Sequence, residues 1–214
     1  MQDHLAVDAD EHVIVEPKSK PAHVRVARLV SNILAPASIS LPFIVLVALY
    51  HAQNVLRALL YALLTLFFLS IGPFTYILVA VRKGKISDVD VSRRTERAGP
   101  FLFGISSALA GWLVLIILHG PENLQTLFFI TAVSGIVMMI TTLWWKISIH
   151  ASSMGGVATM LTAFYGAVML PAFLLLILVS WSRVVLRRHT VPQVIAGSLV
   201  SIALTLLILK IRGI

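Results

Sequence analysis

The chain has 214 residues, of which 58% are apolar and only 12% charged, with a mean hydropathy of +0.95. A soluble globular protein is about 25% charged, so the balance excludes an ordinary soluble enzyme, a disordered chain and a nucleic-acid module, and reads as a polytopic membrane protein. Lys and Arg outnumber Asp and Glu by 17 to 9, for a formal charge of +8, and there is no cysteine; disulfides, thiolate metal sites and a Cys nucleophile are excluded with it.

Met1 to Lys20 is polar and carries Asp3, Asp8, Asp10, Glu11 and Glu16. It shows no cleavable signal peptide and reads as a mobile soluble tail, so residues 1–25 are set apart from a membrane domain at 26–214. A spanning helix needs about 20 apolar residues. Leu29–Tyr50 is the first such stretch. Ala58–Val81 is the second, with a kink expected at Gly72-Pro73. Phe101–Leu118 and Leu127–Trp145 follow, joined by a short loop, and Gln193–Leu209 is the last. Between them lies Ala151–Trp181, 31 residues without a charge. One helix of that length would run roughly 46 Å, against a hydrocarbon core of about 30 Å. Gly166 and Pro171 therefore predict a break and two short helices. The fold class is an all-α transmembrane bundle of six to seven spanning helices.

Seven helices place the N-terminal tail and the loops 82–100, 146–150 and 182–192 on one face. Of the 17 Lys and Arg residues, all but Arg57, Lys210 and Arg212 fall there. Such a bias predicts that the basic face is cytoplasmic, in a multi-pass protein of the cytoplasmic or plasma membrane.

Beyond the tail the only acids are Asp88, Asp90, Glu96 and Glu122, none inside a span. Coupled transporters place ionisable groups at membrane depth, which argues against that class. Asp88-Val89-Asp90 is the one pair that offers carboxylates to a metal, as a metal-dependent membrane transferase would need. A two-residue acidic spacing in a loop also reads as a solvated turn.

Two histidines, His150 and His189, sit at apolar–polar boundaries on the basic face. Phosphate ester cleavage calls for this inventory. Guanidinium forks neutralise the phosphoryl oxygens. A neutral imidazole attacks phosphorus, and a second, protonated, donates to the leaving oxygen. Ser148, beside His150, is small enough to bring backbone N–H groups near an anion. Trp144-Trp145 reads as an interfacial pair, and Gly155-Gly156 as helix packing.

Ser182-Arg183, five residues, then His189 resembles the third motif of the type-2 phosphatidic acid phosphatase superfamily, S-R-x5-H-x3-D. Gln193 stands where that family has Asp. Ser148 and His150 resemble its second motif, P-S-G-H, with Ile147 and Ile149 in place of Pro and Gly. Arg97 fits the Arg of its first motif, K-x6-R-P; seven places earlier stands Asp90 rather than Lys, and Ala98 replaces Pro. The resemblance covers roughly residues 55–210, in the family's order and on one face. It implies a membrane lipid phosphatase that needs no cofactor or metal. In it His189 is the nucleophile and His150 protonates the leaving group. Arg183 and Arg97 bind phosphate, and Arg93 or Arg94 supplies the charge of the missing Lys. Gln193 accepts from the His189 ring without offsetting its charge. The implied partner is a phosphorylated lipid, such as phosphatidic acid, phosphatidylglycerophosphate or a polyprenyl diphosphate. A second expectation is a non-catalytic protein that binds such a lipid.

Overall fold

The computed structural model describes residues 21–214; the acidic tail expected at Met1 to Lys20 lies outside the described residues. Among the described residues the chain is helical throughout, with no strand. Helices α1 (Ala22–Ile33) and α2 (Pro36–Leu49) meet at a bend of 44°. The bend replaces the continuous helix expected over Leu29–Tyr50. Pro36 takes the first position of α2, where its missing N–H leaves no bond unmade, but it cannot continue α1.

Helices α3 (Val55–Leu66) and α4 (Gly72–Arg82) are joined by one π-helical turn, Phe67–Ile71. Pro73 cannot donate to the preceding turn, and the wider turn absorbs that loss without ending the segment. The expected Gly72-Pro73 kink thus takes the form of a π turn. A loop leads to a single 3-10 turn at Arg94–Glu96 and then to α5 (Ala98–Ile117) and α6 (Glu122–Thr142). The 151–181 stretch is two helices, α7 (Ile149–Tyr165) and α8 (Ala172–Val185). They part at Gly166, whose φ of +75° suits a residue without Cβ, and at Pro171. α9 (Val191–Ile211) starts on a capping box, Thr190 with Gln193, and carries Pro192 in its first turn.

Four helical segments are long and apolar enough to cross a membrane: Val55–Arg82, Arg94–Ile117, Glu122–Thr142 and Val191–Ile211. The bent α1–α2 pair makes five if it counts as one span. At 17 and 14 residues, α7 and α8 measure about 25 and 21 Å, short of a full span. The outer surface is apolar: Leu56, Leu63, Leu113, Ile177, Leu199 and Leu206 are each more than half exposed. Contiguous apolar cover of this kind suits lipid rather than water. The described chain is accordingly all-helical and consistent with a multi-pass membrane protein.

The main core joins α2, α5, α6, α7 and α9 around Ile44, Val47, Leu115, Leu124 and Phe128. α7 packs most extensively on α9, because small residues let the two backbones approach. A Cβ on Gly155 would lie 3.2 Å from the Ser198 carbonyl oxygen, and one on Gly197 only 2.7 Å from that of Ser148. Gly155 thus has the packing role expected of it. A second apolar cluster, with Met154, Val179 and Val194, underlies the start of α7 and α9. It supports the end of the bundle where the histidines lie.

Candidate active site

Four stretches far apart in sequence meet at that end. The Arg183 Nη1 donates to Ser31 Oγ of α1 at 2.7 Å and to Asp90 Oδ2 of the α4–α5 loop at 3.0 Å. The Arg97 Nε donates to the Val91 carbonyl, and its Nη1 to that of Ile147, each at 3.1 Å. Lys146 Nζ donates to the Arg188 carbonyl, and Arg188 Nη1 to Ser92 Oγ. The Ser148 N–H donates to the Gln193 carbonyl, tying α7 to α9 at their starts. The convergence of the loops around residues 82–100, 146–150 and 182–192 agrees with the face expected from the sequence.

His150, His189, Arg97 and Arg183 are all buried, at 8%, 6%, 2% and 3% exposure. Two guanidiniums taken out of water are costly unless they serve a purpose or are fully paired. Arg183 is not fully paired: its Nε is buried and has no partner. It stands in the last turn of α8, where a cation meets the negative end of the helix dipole.

The His189 Nδ1 lies 3.2 Å from Gln193 Oε1, and the Thr190 N–H donates to the same oxygen at 3.2 Å. An atom accepting from a backbone N–H is the amide oxygen, so the ring must donate to it from Nδ1. The proton is thereby held on Nδ1, and Nε2 keeps its lone pair. Burial pushes the His189 pKa down to about 3, with the nearby charges of Lys146, Arg97 and Arg183 acting in the same direction. The ring is neutral at physiological pH, the form in which imidazole is a nucleophile.

Burial works against the Asp90 carboxylate, but Arg183, His150 and Arg188 together outweigh it and hold its pKa below the ordinary value. Burial likewise lowers that of Lys146, helped by Arg97, Arg183 and Arg188. Asp90, Arg97 and His150 line one end of a cleft of about 290 Å³. Its remaining walls are largely apolar and include Pro36, Leu69, Phe74, Ile77 and Phe101. Several of those walls are shared with a second apolar cavity of about 280 Å³ deeper in the bundle. A polar end on an apolar groove fits a molecule with a charged head and a greasy tail.

The remaining expected site residues are placed differently. Arg93 is exposed and pairs with Glu96 at 3.4 Å. Arg94 donates to the carbonyls of Thr142 and Leu143 at the end of α6, orphan acceptors that a nearby cation satisfies. Like His189 and Arg183, neither lines the cleft of His150. Ser148 is the N-cap of α7, with Oγ accepting from the Ala151 N–H, and its own N–H is engaged by Gln193. Its backbone N–H is thus engaged, and its hydroxyl hydrogen remains free to donate. Gln193 serves two roles, as partner of the His189 ring and as the third-position member of the α9 capping box.

Asp88 and Asp90 turn to different partners. Asp88 accepts from the Ser92 hydroxyl at 3.0 Å, whereas Asp90 crosses to Arg183. Among the described residues no three His, Cys, Asp or Glu side chains stand together as a metal would need. Ser31 and Lys146 join the site beyond the motif residues, and Asp90, at the motif's Lys position, joins it through Arg183; a motif spacing carries no signal for partners 42 to 152 positions away. Trp144 and Trp145 are exposed at this end of the bundle, 73% and 42%, as interfacial indoles would be.

No family model, curated protein or solved structure matches this chain.

Proposed function

We propose that the protein is an integral membrane lipid phosphatase acting on a phosphate monoester or diphosphate of a lipid through a phosphohistidine. The observation that carries this reading is the His189 ring. It is neutral, with its proton held on Nδ1 by Gln193, in a buried site with a second histidine and two buried arginines. The resemblance of Ser182-Arg183…His189, Ser148…His150 and Arg97 to the type-2 phosphatidic acid phosphatases supports it. So does the apolar cleft that ends on His150.

In the proposed reaction His189 Nε2 attacks phosphorus as the bond to the lipid oxygen breaks. His150 gives its proton to that departing oxygen, so the lipid leaves as an alcohol from a monoester and as its monophosphate from a diphosphate. His150, now neutral, takes a proton from water as the water oxygen attacks the phosphohistidine. The N–P bond breaks, inorganic phosphate leaves, and both imidazoles return to their starting state. Arg183 and Arg97 stabilise the charge on the phosphoryl oxygens throughout. We take the chain to pass through the membrane seven times. The α7–α8 hairpin then spans despite its short helices, and the basic, histidine-bearing end faces the cytoplasm.

A second reading, a protein that binds phosphorylated lipid without cleaving it, is favoured by one observation: Asp90 already holds Arg183. Phosphate release by the detergent-purified protein separates the two. The panel is phosphatidic acid, phosphatidylglycerophosphate and a polyprenyl diphosphate, each with and without chelator. Release that resists chelator and falls by about 10³-fold or more in His189→Ala is the expected result. Binding of these lipids without release would establish the second reading.

A further inference from the structure

Asp90 lies seven residues before Arg97 and reaches across the site to Arg183. Its loop is built to hold it there. Asp88 anchors the turn by accepting from the Ser92 hydroxyl, and the Val91 N–H closes it onto the Asp88 carbonyl at 2.9 Å. Val91 itself sits at φ +47°, a left-handed conformation that a β-branched residue adopts only at a cost. Its carbonyl is gripped by the buried Arg97. Strain of this kind persists where the surroundings demand a particular placement, and what it places here is a carboxylate.

The charged and titratable groups around that carboxylate come from every neighbouring element: Arg183 of α8, His150 of α7, Arg188 of the α8–α9 loop and Arg97 of α5. Asp90 uses one donor of the Arg183 fork, while the Arg183 Nε remains buried and unpartnered. A phosphoryl group that takes the free donor therefore meets a fixed negative charge beside it.

We propose that Asp90 is a specificity-determining residue, which makes the site select phosphoryl groups carrying one negative charge over those carrying two. The proposal rests on the phosphate-site reading above and narrows its substrate class to a phosphate monoester bound as its monoanion. The electrostatic repulsion from Asp90 scales with the ligand's charge. Its removal therefore changes the affinity of a dianion by about the square of the factor for a monoanion.

The test is binding to the full-length protein in detergent, by calorimetry, of two small probes in alkaline buffer. Inorganic phosphate carries two charges there and dimethyl phosphate one. Each probe is compared with itself between wild type and Asp90→Asn, so that size differences cancel. The expected result is tightening by about threefold for dimethyl phosphate and about tenfold for inorganic phosphate. Asp90→Ser, checked for folding by its thermal transition, should repeat the pattern. Equal tightening of both probes, no change, or weakening of both would overturn the proposal; the last would make Asp90 only a structural partner of Arg183. In those cases anion binding itself survives, and with it the phosphate-site reading. Binding of neither probe by wild type or variant would overturn that reading and the proposal together.

Discussion

At the end of the bundle away from the histidines, polar side chains close off helix carbonyls. The Tyr61 hydroxyl donates to Leu118, that of Tyr165 to Leu46, and the Asn123 amide to Val47. Tyr50 stacks on Phe164 with ring centres 4.6 Å apart, and no charged residue is buried there among the described residues. At the histidine end the same helices bury Arg97 and Arg183, and polar groups also meet backbone carbonyls, but bonding is incomplete. The Arg183 Nε is left without a partner. Both ends pair polar side chains with backbone carbonyls, but among the described residues only the histidine end also buries charge, which stability alone does not explain.

The comparison can be broken by moving the site's groups and the far end's groups separately. The largest effect is expected at Gln193. Gln193→Leu removes the acceptor that keeps the His189 proton on Nδ1, and turnover should fall by about 10²-fold or more. Gln193→Glu keeps an acceptor and should retain more activity than the leucine variant, while raising the His189 pKa. A phosphate-release assay of both, with the folded fraction measured, checks this; equal activity in all three proteins would disconnect Gln193 from the reaction.

The next effect is on stability against pH. His189 has a folded pKa of about 3 against an ordinary value of 6.5. Below 6.5 the unfolded chain takes up a proton that the folded one refuses, so this contribution is fully present above 6.5 and lost as pH falls toward 3. Thermal unfolding temperatures in detergent should decline over that window, and less steeply in His189→Ala. An identical decline in both would remove His189 as the cause.

At the far end, Asn123→Ala should lower stability by about 1–3 kcal/mol by leaving the Val47 carbonyl without its donor. Turnover per folded molecule should not change; a selective loss of turnover would contradict the division between the two ends. The smallest effect belongs to Arg187, an exposed residue at φ +53° just past α8. Arg187→Gly relieves that conformation and should raise stability by under about 1 kcal/mol. A drop in stability would mean that the side chain holds something the backbone angle does not reveal.

Much of the helical framework was legible in the residues. Runs of apolar residues long enough for a bilayer declare helices, because an unpaired backbone cannot sit in hydrocarbon. Gly166 and Pro171 declare the break between α7 and α8. The bend between α1 and α2 was less visible, since Leu29–Tyr50 has no charge to interrupt it and two prolines, Pro36 and Pro42, of which only Pro36 marks the bend. In the site, the resemblance to the phosphatase motifs, with the boundary positions of the two histidines, selected His150, His189, Arg97 and Arg183, and the structure brings all four to one end. It could not sort Arg93 and Arg94 from them, since an arginine in a basic loop looks the same whether it faces a cleft or the carbonyls of α6.

Composition and the order of apolar and basic segments thus determined an all-helical chain with its basic loops gathered at one end, because burial and backbone hydrogen bonding depend on local sequence. Only the tertiary structure decided how the charges in that end are distributed. Asp90 reaches Arg183 from 93 positions away, and Ser31 reaches it from 152. Which of the basic side chains is buried, which is paired and which keeps a free donor follows from how the helices pack, and a linear spacing holds no record of that.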